Sequence, residues 1–139
     1  MKFSITLNAN QTSEEIHLAA KLDGSVIQQW TAQAGTKTIQ FEVDDTDVTV
    51  SRSISIEMSG KADHHTTLDD QGNIIIDHYV TVDNITFDEI DVTDQFCNGN
   101  PCYRYKNTVD EFYGFIGVNG VVSFDFITPL WKWFLSKCK

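Results

Sequence analysis

Carboxylates in predicted loops are the residues of this sequence that are best suited to bind a metal ion. Asp69 and Asp70 lie on one side of Gly72 and Asn73 on the other. Carboxylate and amide oxygens are the ligands that Ca²⁺ prefers, and a glycine allows such a loop to wrap around an ion. No segment has the spacing of an EF-hand, so a solvated acidic surface is the leading interpretation. We therefore expect no cofactor, with Ca²⁺ as the alternative; if the protein holds this ion, its predicted ligands are Asp69, Asp70 and Asn73.

Aromatic side chains are the best candidates for ligand binding. Flat rings stack on sugar rings and anchor protein interfaces, although most aromatic residues of a small protein belong to its core. Arg52 is a further candidate because it interrupts the apolar face of an otherwise regular strand. An ion pair with one of the many acids is the leading interpretation of that arginine. We predict a ligand-binding surface that includes Tyr79, Tyr103, Tyr105 and Arg52.

The sequence lacks a pattern that would indicate an enzyme. His64 and His65 are adjacent, and adjacent side chains on an extended chain point in opposite directions, so the two cannot easily share a metal ion. Cys97 and Cys102 bracket a turn and are expected to remain thiols, while Cys138 lies near the C-terminus. No nucleophile elbow or glycine-rich oxyanion turn accompanies the serines and aspartates. We therefore predict a non-enzymatic protein.

The elements that must position these residues are β-strands. Residues 48–59 alternate between apolar and polar side chains, which is typical of a half-buried antiparallel strand, and similar alternation recurs through most of the chain. Asp23-Gly24 and Asn119-Gly120 predict tight hairpins. The apolar parity slips by one residue at Asp83-Asn84, which predicts a bulge or bend. Residues 60–73 are the longest stretch without alternation and are expected to form a loop.

These strands predict an all-β fold. We expect one antiparallel β-sandwich domain of jelly-roll type over residues 1–139, with a closed β-barrel as the nearest alternative. A short helical turn is expected after Thr128-Pro129. The turn is dense in large apolar side chains, which predicts that it binds a partner or a second copy of the chain through Leu130, Trp131, Trp133 and Phe134.

Charge and hydropathy limit the partners of this protein. The chain has 20 acidic and 10 basic residues and a net charge of −10. It therefore repels polyanions and lacks the basic clusters that neutralise phosphates, so nucleic acid is not an expected partner. No run of about 18 apolar residues indicates a membrane span. The N-terminus shows strand alternation in place of a signal-peptide core, so we expect folding in the cytoplasm where the chain is made.

Three segments resemble small accessory proteins of T4-like tailed phages of marine bacteria: residues 85–93, 117–126 and 128–135. This resemblance implies a structural protein of the virion, a capsid-decoration or tail-associated domain, made in the host cytoplasm. Its partners would be other virion proteins, a second copy of itself or a host-surface glycan. A weaker resemblance is to calcium-dependent jelly-roll carbohydrate-binding modules, in which strands and acidic loops alternate similarly. That resemblance implies calcium-dependent glycan binding.

Overall fold

The computed structural model describes residues 1–137 and shows a sandwich of antiparallel sheets. In chain order its strands are β1 (Lys2–Ala9), β2 (Ser13–Leu22), β3 (Ser25–Ala32), β4 (Gly35–Glu42), β5 (Val50–Ser59), β6 (Thr67–Leu68), β7 (Ile74–Ile76), β8 (Val80–Phe87), β9 (Ile90–Asp91), β10 (Asn100–Tyr105), β11 (Thr108–Phe112), β12 (Phe115–Ile116) and β13 (Gly120–Thr128). The helices are α1 (Thr93–Cys97) and α2 (Leu130–Lys137). Cys138 lies outside the described residues.

The strands form two large sheets and one small hairpin. One sheet has the order β12-β8-β1-β4, with β9 beside β8, and the other has the order β11-β10-β13-β5-β2-β3. Among the strands of the described residues, β6 and β7 pair only with each other. The predicted fold class, an all-β antiparallel sandwich of jelly-roll type with a short C-terminal helix, is confirmed.

The core lies between the two large sheets because their strands present apolar side chains at every second position. In β5, Ile54, Ile56 and Met58 are buried, whereas Ser55 and Glu57 between them are half-buried on the outer face. Strand β5 pairs with β13 on one side and β2 on the other, so its apolar face meets buried residues of both strands. The alternation in residues 48–59 thus marks the centre of the six-stranded sheet.

A β-bulge in β8 accounts for the slip in apolar parity. Thr6 of β1 pairs with Asn84, whereas the next residue, Leu7, pairs with Val82, so Asp83 is the extra residue. The bulge lets Val82 and Ile85 both face the core although they are three residues apart. The bulge predicted at Asp83-Asn84 is confirmed.

The hairpin predicted at Asn119-Gly120 is wrong. Strand β12, before this dipeptide, pairs with β8 in the five-stranded sheet, whereas β13, after it, pairs with β10 and β5 in the other sheet. The chain therefore crosses from one sheet to the other through residues 117–119. The Asn119 side chain serves this crossing: its Oδ1 accepts a hydrogen bond from Lys61 N and its Nδ2 donates one to Lys61 O, both at 2.9 Å.

Residues 60–73 contain more structure than the predicted loop. A 3-10 turn spans Asp63–His65, and β6 pairs with β7 around a tip at residues 69–73. Because β7 is a run of three isoleucines with no alternation, its hairpin pairing could not be seen in the sequence pattern. All three isoleucines are exposed.

Arg52 forms the ion pair that was the leading interpretation of this residue. Its Nε lies 2.7 Å from Oδ2 of Asp23, and the same carboxylate accepts a hydrogen bond from Ser53 N through Oδ1. Arg52 closes the end of the inner face of β5, where the strand leaves the core. The arginine is thus committed to the turn that joins β2 to β3.

Helix α2 covers part of the core with one face. The Trp133 ring stacks on Phe96 of α1 at a centroid distance of 5.3 Å and an interplanar angle of 17° and meets Phe87 edge-on. Leu130 and Trp133 are buried, so a partner cannot reach them, and this part of the predicted partner-binding set is corrected. Phe134 is half-buried against the core, and Trp131 is 59% exposed. Burial follows from the helical period, which turns Leu130 and Trp133 toward the sheet and Trp131 away from it.

Within residues 1–137, no helix combines the length and the apolarity needed to cross a membrane.

We expect Trp133→Ala to lower the free energy of unfolding by about 3–5 kcal/mol, because it removes a buried indole from an aromatic cluster and leaves a cavity. Trp131→Ala is the matched control, since it removes the same side chain from the exposed face of the same helix, and it should change that free energy by less than about 0.5 kcal/mol. Urea unfolding followed by far-UV circular dichroism measures both. Equal losses in the two variants would contradict this assignment of the helix faces.

Candidate functional site

A groove with aromatic and acidic walls lies at the β10–β11 edge of the six-stranded sheet. Its volume is about 290 Å³. Strands β10 and β11 supply one wall, and the chain from β12 to residue 118 supplies the other. We call it the tyrosine groove, and its lining residues are Tyr103, Tyr105, Asp110, Glu111, Tyr113, Phe115, Gly117 and Val118.

Two tyrosine–carboxylate pairs set the polar chemistry of the groove. The Tyr105 hydroxyl donates a hydrogen bond to Oδ2 of Asp110 at 2.9 Å, and the Tyr113 hydroxyl donates one to Oε2 of Glu111 at 2.7 Å. In each pair the hydrogen bond, and then the negative charge of the carboxylate, raises the pKa of the tyrosine. The phenols therefore remain protonated donors, and each carboxylate is held in place while it keeps free lone pairs for further donors.

Two aromatic faces of the groove are open to solvent. Tyr113 is 65% exposed and Phe115 is 49% exposed. Gly117 allows the Phe115 ring to lie close to the backbone, since a Cβ at residue 117 would lie 2.5 Å from Cε1 of that ring. The Tyr79 ring packs behind Phe115 at a centroid distance of 4.8 Å. This packing fixes the plane of the Phe115 ring before any ligand arrives, which limits the entropy lost on binding.

Tyr103 positions the wall of the groove. Its ring is buried, and burial raises the pKa of its hydroxyl. That hydroxyl donates a hydrogen bond to Val118 O at 2.7 Å and accepts one from Val118 N at 3.2 Å. A buried phenol needs such partners. Tyr103 therefore holds residues 117–119 beside β10, where they form the rim of the groove.

The structure brings three of the sequence-predicted ligand residues together and separates the fourth. Tyr105 and Tyr103 line the groove and Tyr79 supports Phe115, whereas Arg52 belongs to the β2–β3 turn. Sequence reasoning missed Phe115 and the two carboxylates as site residues.

The two carboxylates could have been placed at the site only if the β10–β11 hairpin had been recognised in the sequence. Lys106 and Asn107 form a two-residue turn with positive φ, and this turn sets Tyr103 opposite Asp110 across the β10–β11 pair. Such a turn has no glycine here, so the usual sequence mark of a tight hairpin is missing.

The predicted calcium ligands form a turn that is closed on itself. Oδ1 of Asp69 accepts hydrogen bonds from Gln71 N at 2.9 Å and from Asn73 N at 2.8 Å, and Oδ2 accepts one from the Asn73 side chain at 3.4 Å. The backbone hydrogen bond from Asn73, and then that from Gln71, lowers the pKa of Asp69. A cation at this tip would have to compete with the backbone amides of Gln71 and Asn73 for Oδ1 of Asp69, so this carboxylate already has a structural role in closing the turn.

A different group of side chains has metal-binding composition: Glu15, His64 and His65. Oε2 of Glu15 lies 2.9 Å from Nε2 of His64 and 3.9 Å from Nε2 of His65. The expectation that the two histidines point apart is wrong, because a 3-10 turn places their rings 4.1 Å from each other. Imidazole ligands favour transition metals over calcium.

The protonation of His65 opposes metal binding in this group. Nδ1 of His65 accepts a hydrogen bond from Ala62 N at 2.9 Å, so the proton of the neutral ring is on Nε2, where it is directed at Ser13 Oγ 3.1 Å away. A metal at Nε2 would displace that proton and leave an anionic ring. We conclude that His65 stabilises the 3-10 turn.

The two cysteines within residues 1–137 are poor nucleophiles. Cys97 and Cys102 are free thiols. Burial raises the pKa of Cys97 to about 12 and that of Cys102 to about 11. A nucleophilic cysteine needs the opposite shift, because the thiolate is the reactive form.

Comparison with known proteins gives the fold and no family. No family model matches the chain, and no curated protein matches it. One similar solved structure is vCBM60 in complex with galactobiose, with a TM-score of 0.51 and 15% identity over 89% of this chain and 97% of that chain. At this identity the likeness shows a shared β-sandwich fold.

A second similar structure is a selenomethionine form of vCBM60, described with calcium-dependent carbohydrate-binding modules; its TM-score is 0.48 at 13% identity, over 88% of each chain. The first structure, vCBM60, is a carbohydrate-binding module, the class named in the weaker of the two sequence resemblances, and its likeness to this chain is one of fold. The resemblance to phage accessory proteins has no support from these comparisons.

We expect Asp110→Asn to lower the pKa of Tyr105 toward its usual value, because the substitution removes the negative charge that the hydroxyl faces. Asp70→Asn, an exposed acid at the tip of the β6–β7 hairpin, is the control and should leave the pKa of Tyr105 unchanged. Titration by ¹³C NMR of labelled tyrosine follows each phenol separately. An unaltered pKa of Tyr105 in Asp110→Asn would show that the pair is not formed in solution.

Proposed function

We propose that this protein is a non-catalytic carbohydrate-binding module that binds a glycan in the tyrosine groove. The observation that carries the proposal is the combination of two exposed aromatic faces, Tyr113 and Phe115, with two carboxylates held by tyrosine hydroxyls. The shared fold with a structure that binds galactobiose is consistent with this role.

The chemistry of the groove suits a neutral glycan. A sugar ring has an apolar face of C–H groups, which packs on an aromatic ring, and an edge of hydroxyls, which donate to fixed carboxylates. Asp110 and Glu111 supply such acceptors, and no basic residue is among those that line the groove. With a net charge of −10 on the chain, this lining repels acidic sugars.

The polar groups of the groove are arranged as hydrogen-bond acceptors. Its lining contains no serine, cysteine or histidine nucleophile, and each of its two carboxylates accepts a hydrogen bond from a tyrosine. A glycosidase needs one of two carboxyl groups to donate a proton to the leaving oxygen, whereas Asp110 and Glu111 both act as acceptors here. We infer that binding is the whole activity of this site.

The virion role and location expected from the phage resemblance stay predictions. Their structural requirement is an apolar surface that another protein can cover. On α2 such a surface consists of Trp131 and Leu135, which are 59% and 64% exposed, because Leu130 and Trp133 are in the core. A virion protein with a glycan-binding groove would unite both roles, with the groove as its contact to a host surface.

We expect Tyr113→Ala and Phe115→Ala each to weaken glycan binding about tenfold, which corresponds to ~1.4 kcal/mol, since each removes one stacking face. Affinity electrophoresis against galactan, xylan and glucans, followed by calorimetry with galactobiose, measures the loss. Trp131→Ala removes an equally exposed ring that is not part of the groove and should bind as the unmodified protein does. If the unmodified protein binds none of these glycans, or if Trp131→Ala is the variant that loses binding, the proposed site is wrong.

We expect glycan binding to persist in a chelator, because the carboxylates of the groove are held by tyrosine hydroxyls and Asp69 by the backbone. Calorimetry in EDTA and in millimolar CaCl₂ should give the same affinity, and Asp69→Ala should not change it. A loss of affinity in EDTA that Ca²⁺ restores would contradict this expectation and support the calcium dependence that the weaker sequence resemblance implies.

A further inference from the structure

A second cavity adjoins the tyrosine groove on the far side of Val118. Its volume is about 650 Å³, and Val118 borders both spaces. The 3-10 turn and the β6–β7 hairpin form its outer wall. We call it the Leu68 cavity, and its lining residues are Lys61, Ala62, Asp63, Thr66, Leu68, Lys106, Val118 and Asn119.

The ridge between the two spaces is rigid because hydrogen bonds hold it from both sides. On the groove side the Tyr103 hydroxyl binds both backbone polar groups of Val118. On the cavity side Lys61 Nζ donates to Gly117 O at 2.6 Å, and the Asn119 side chain bridges both backbone groups of Lys61. The Val118 side chain nonetheless remains 39% exposed. A fixed apolar side chain therefore stands where a ligand passing from one space to the other would touch it.

The outer wall of the Leu68 cavity is tied to the same ridge. Asp77 accepts an ion-paired hydrogen bond from Lys61 at 2.7 Å and a hydrogen bond from the Thr66 hydroxyl at 2.9 Å. Thr66 leads directly into β6, where Leu68 is 55% exposed. Through Asp77 the hairpin base and the ridge form one connected unit, so Leu68 and Val118 keep a fixed relation.

Size indicates that the tyrosine groove is not the whole site. Small-molecule sites usually have volumes of roughly 300–1,000 Å³. The tyrosine groove, at about 290 Å³, is at the lower limit of that range, and the adjoining cavity, at about 650 Å³, lies well within it. A ligand confined to the groove would leave the exposed side chains of Val118 and Leu68 in water.

We propose that the ligand is a segment of a neutral oligosaccharide chain several sugars long, which runs from the tyrosine groove over Val118 and into the Leu68 cavity. This inference rests on the proposed function and extends it from a single sugar to a chain. Tyr113 and Phe115 hold one part of the chain, and Leu68 packs against the C–H face of a sugar farther along it. The ligand class is thus an internal segment of a polysaccharide chain, and not only the end of such a chain.

The test is a comparison of chain lengths by calorimetry, with the disaccharides and hexasaccharides of the galactan, xylan and cellulose series. We expect the hexasaccharide of the series that binds to associate at least tenfold more tightly than its disaccharide. Leu68→Ala should weaken hexasaccharide binding about fivefold, as expected for the loss of one apolar contact, and should leave disaccharide binding unchanged. Ile75→Ala is the control, since it removes an equally exposed aliphatic side chain from the other face of the same hairpin and not from the cavity.

The outcomes separate this inference from the proposed function. Equal affinities for the disaccharide and the hexasaccharide, or equal effects of Leu68→Ala and Ile75→Ala, would overturn the extended site and leave a groove that binds one or two sugars. No binding in any series would overturn the proposed function itself. Far-UV circular dichroism and the melting temperature show that both variants are folded, because both substitutions are at exposed positions of a surface hairpin.

Discussion

The buried hydroxyl of Tyr103 is the interaction on which the site depends. The chain crosses between the sheets at residues 117–119, and a crossing segment has no strand partner for its backbone. Tyr103 supplies both a donor and an acceptor to Val118 at this point, and the Asn119 side chain provides a second pair of bonds to Lys61. Satisfying this backbone fixes the rim of the tyrosine groove and the ridge beside it.

The acidic residues divide into those that stabilise turns and those that face the groove. Asp23 holds Arg52 at the β2–β3 turn, Asp69 closes the tip of the β6–β7 hairpin, and Asp77 joins that hairpin to the ridge through Lys61. These three acids therefore need no metal ion to explain them. Asp110 and Glu111 differ from these acids because their partners are tyrosine hydroxyls that line an open groove. Their arrangement leaves acceptor capacity for a ligand.

The period of two in the sequence predicted the strands and even the bulge at Asp83, because both follow from the sorting of side chains between core and solvent. Sheet partners were not predictable in the same way. Asn119-Gly120 has the composition of a hairpin, and only the tertiary bonds to Lys61 show that the chain crosses there instead. The adjacent histidines were likewise expected to point apart as on an extended chain, but the 3-10 turn brings their rings together. For α2, the shared face of Leu130 and Trp133 was visible in the sequence, but only Phe96 and Phe87 show that this face is core.

The central claim is that glycans bind at one connected surface, the tyrosine groove with its extension past Val118. The most direct measurement is an NMR titration of isotope-labelled protein with a hexasaccharide of galactan, xylan or cellulose. The account predicts that the largest shift changes fall on residues that line these two spaces: Tyr105, Tyr113, Phe115, Val118 and Leu68. Shift changes centred elsewhere, for example on Trp30 at the opposite edge of the six-stranded sheet, would contradict it.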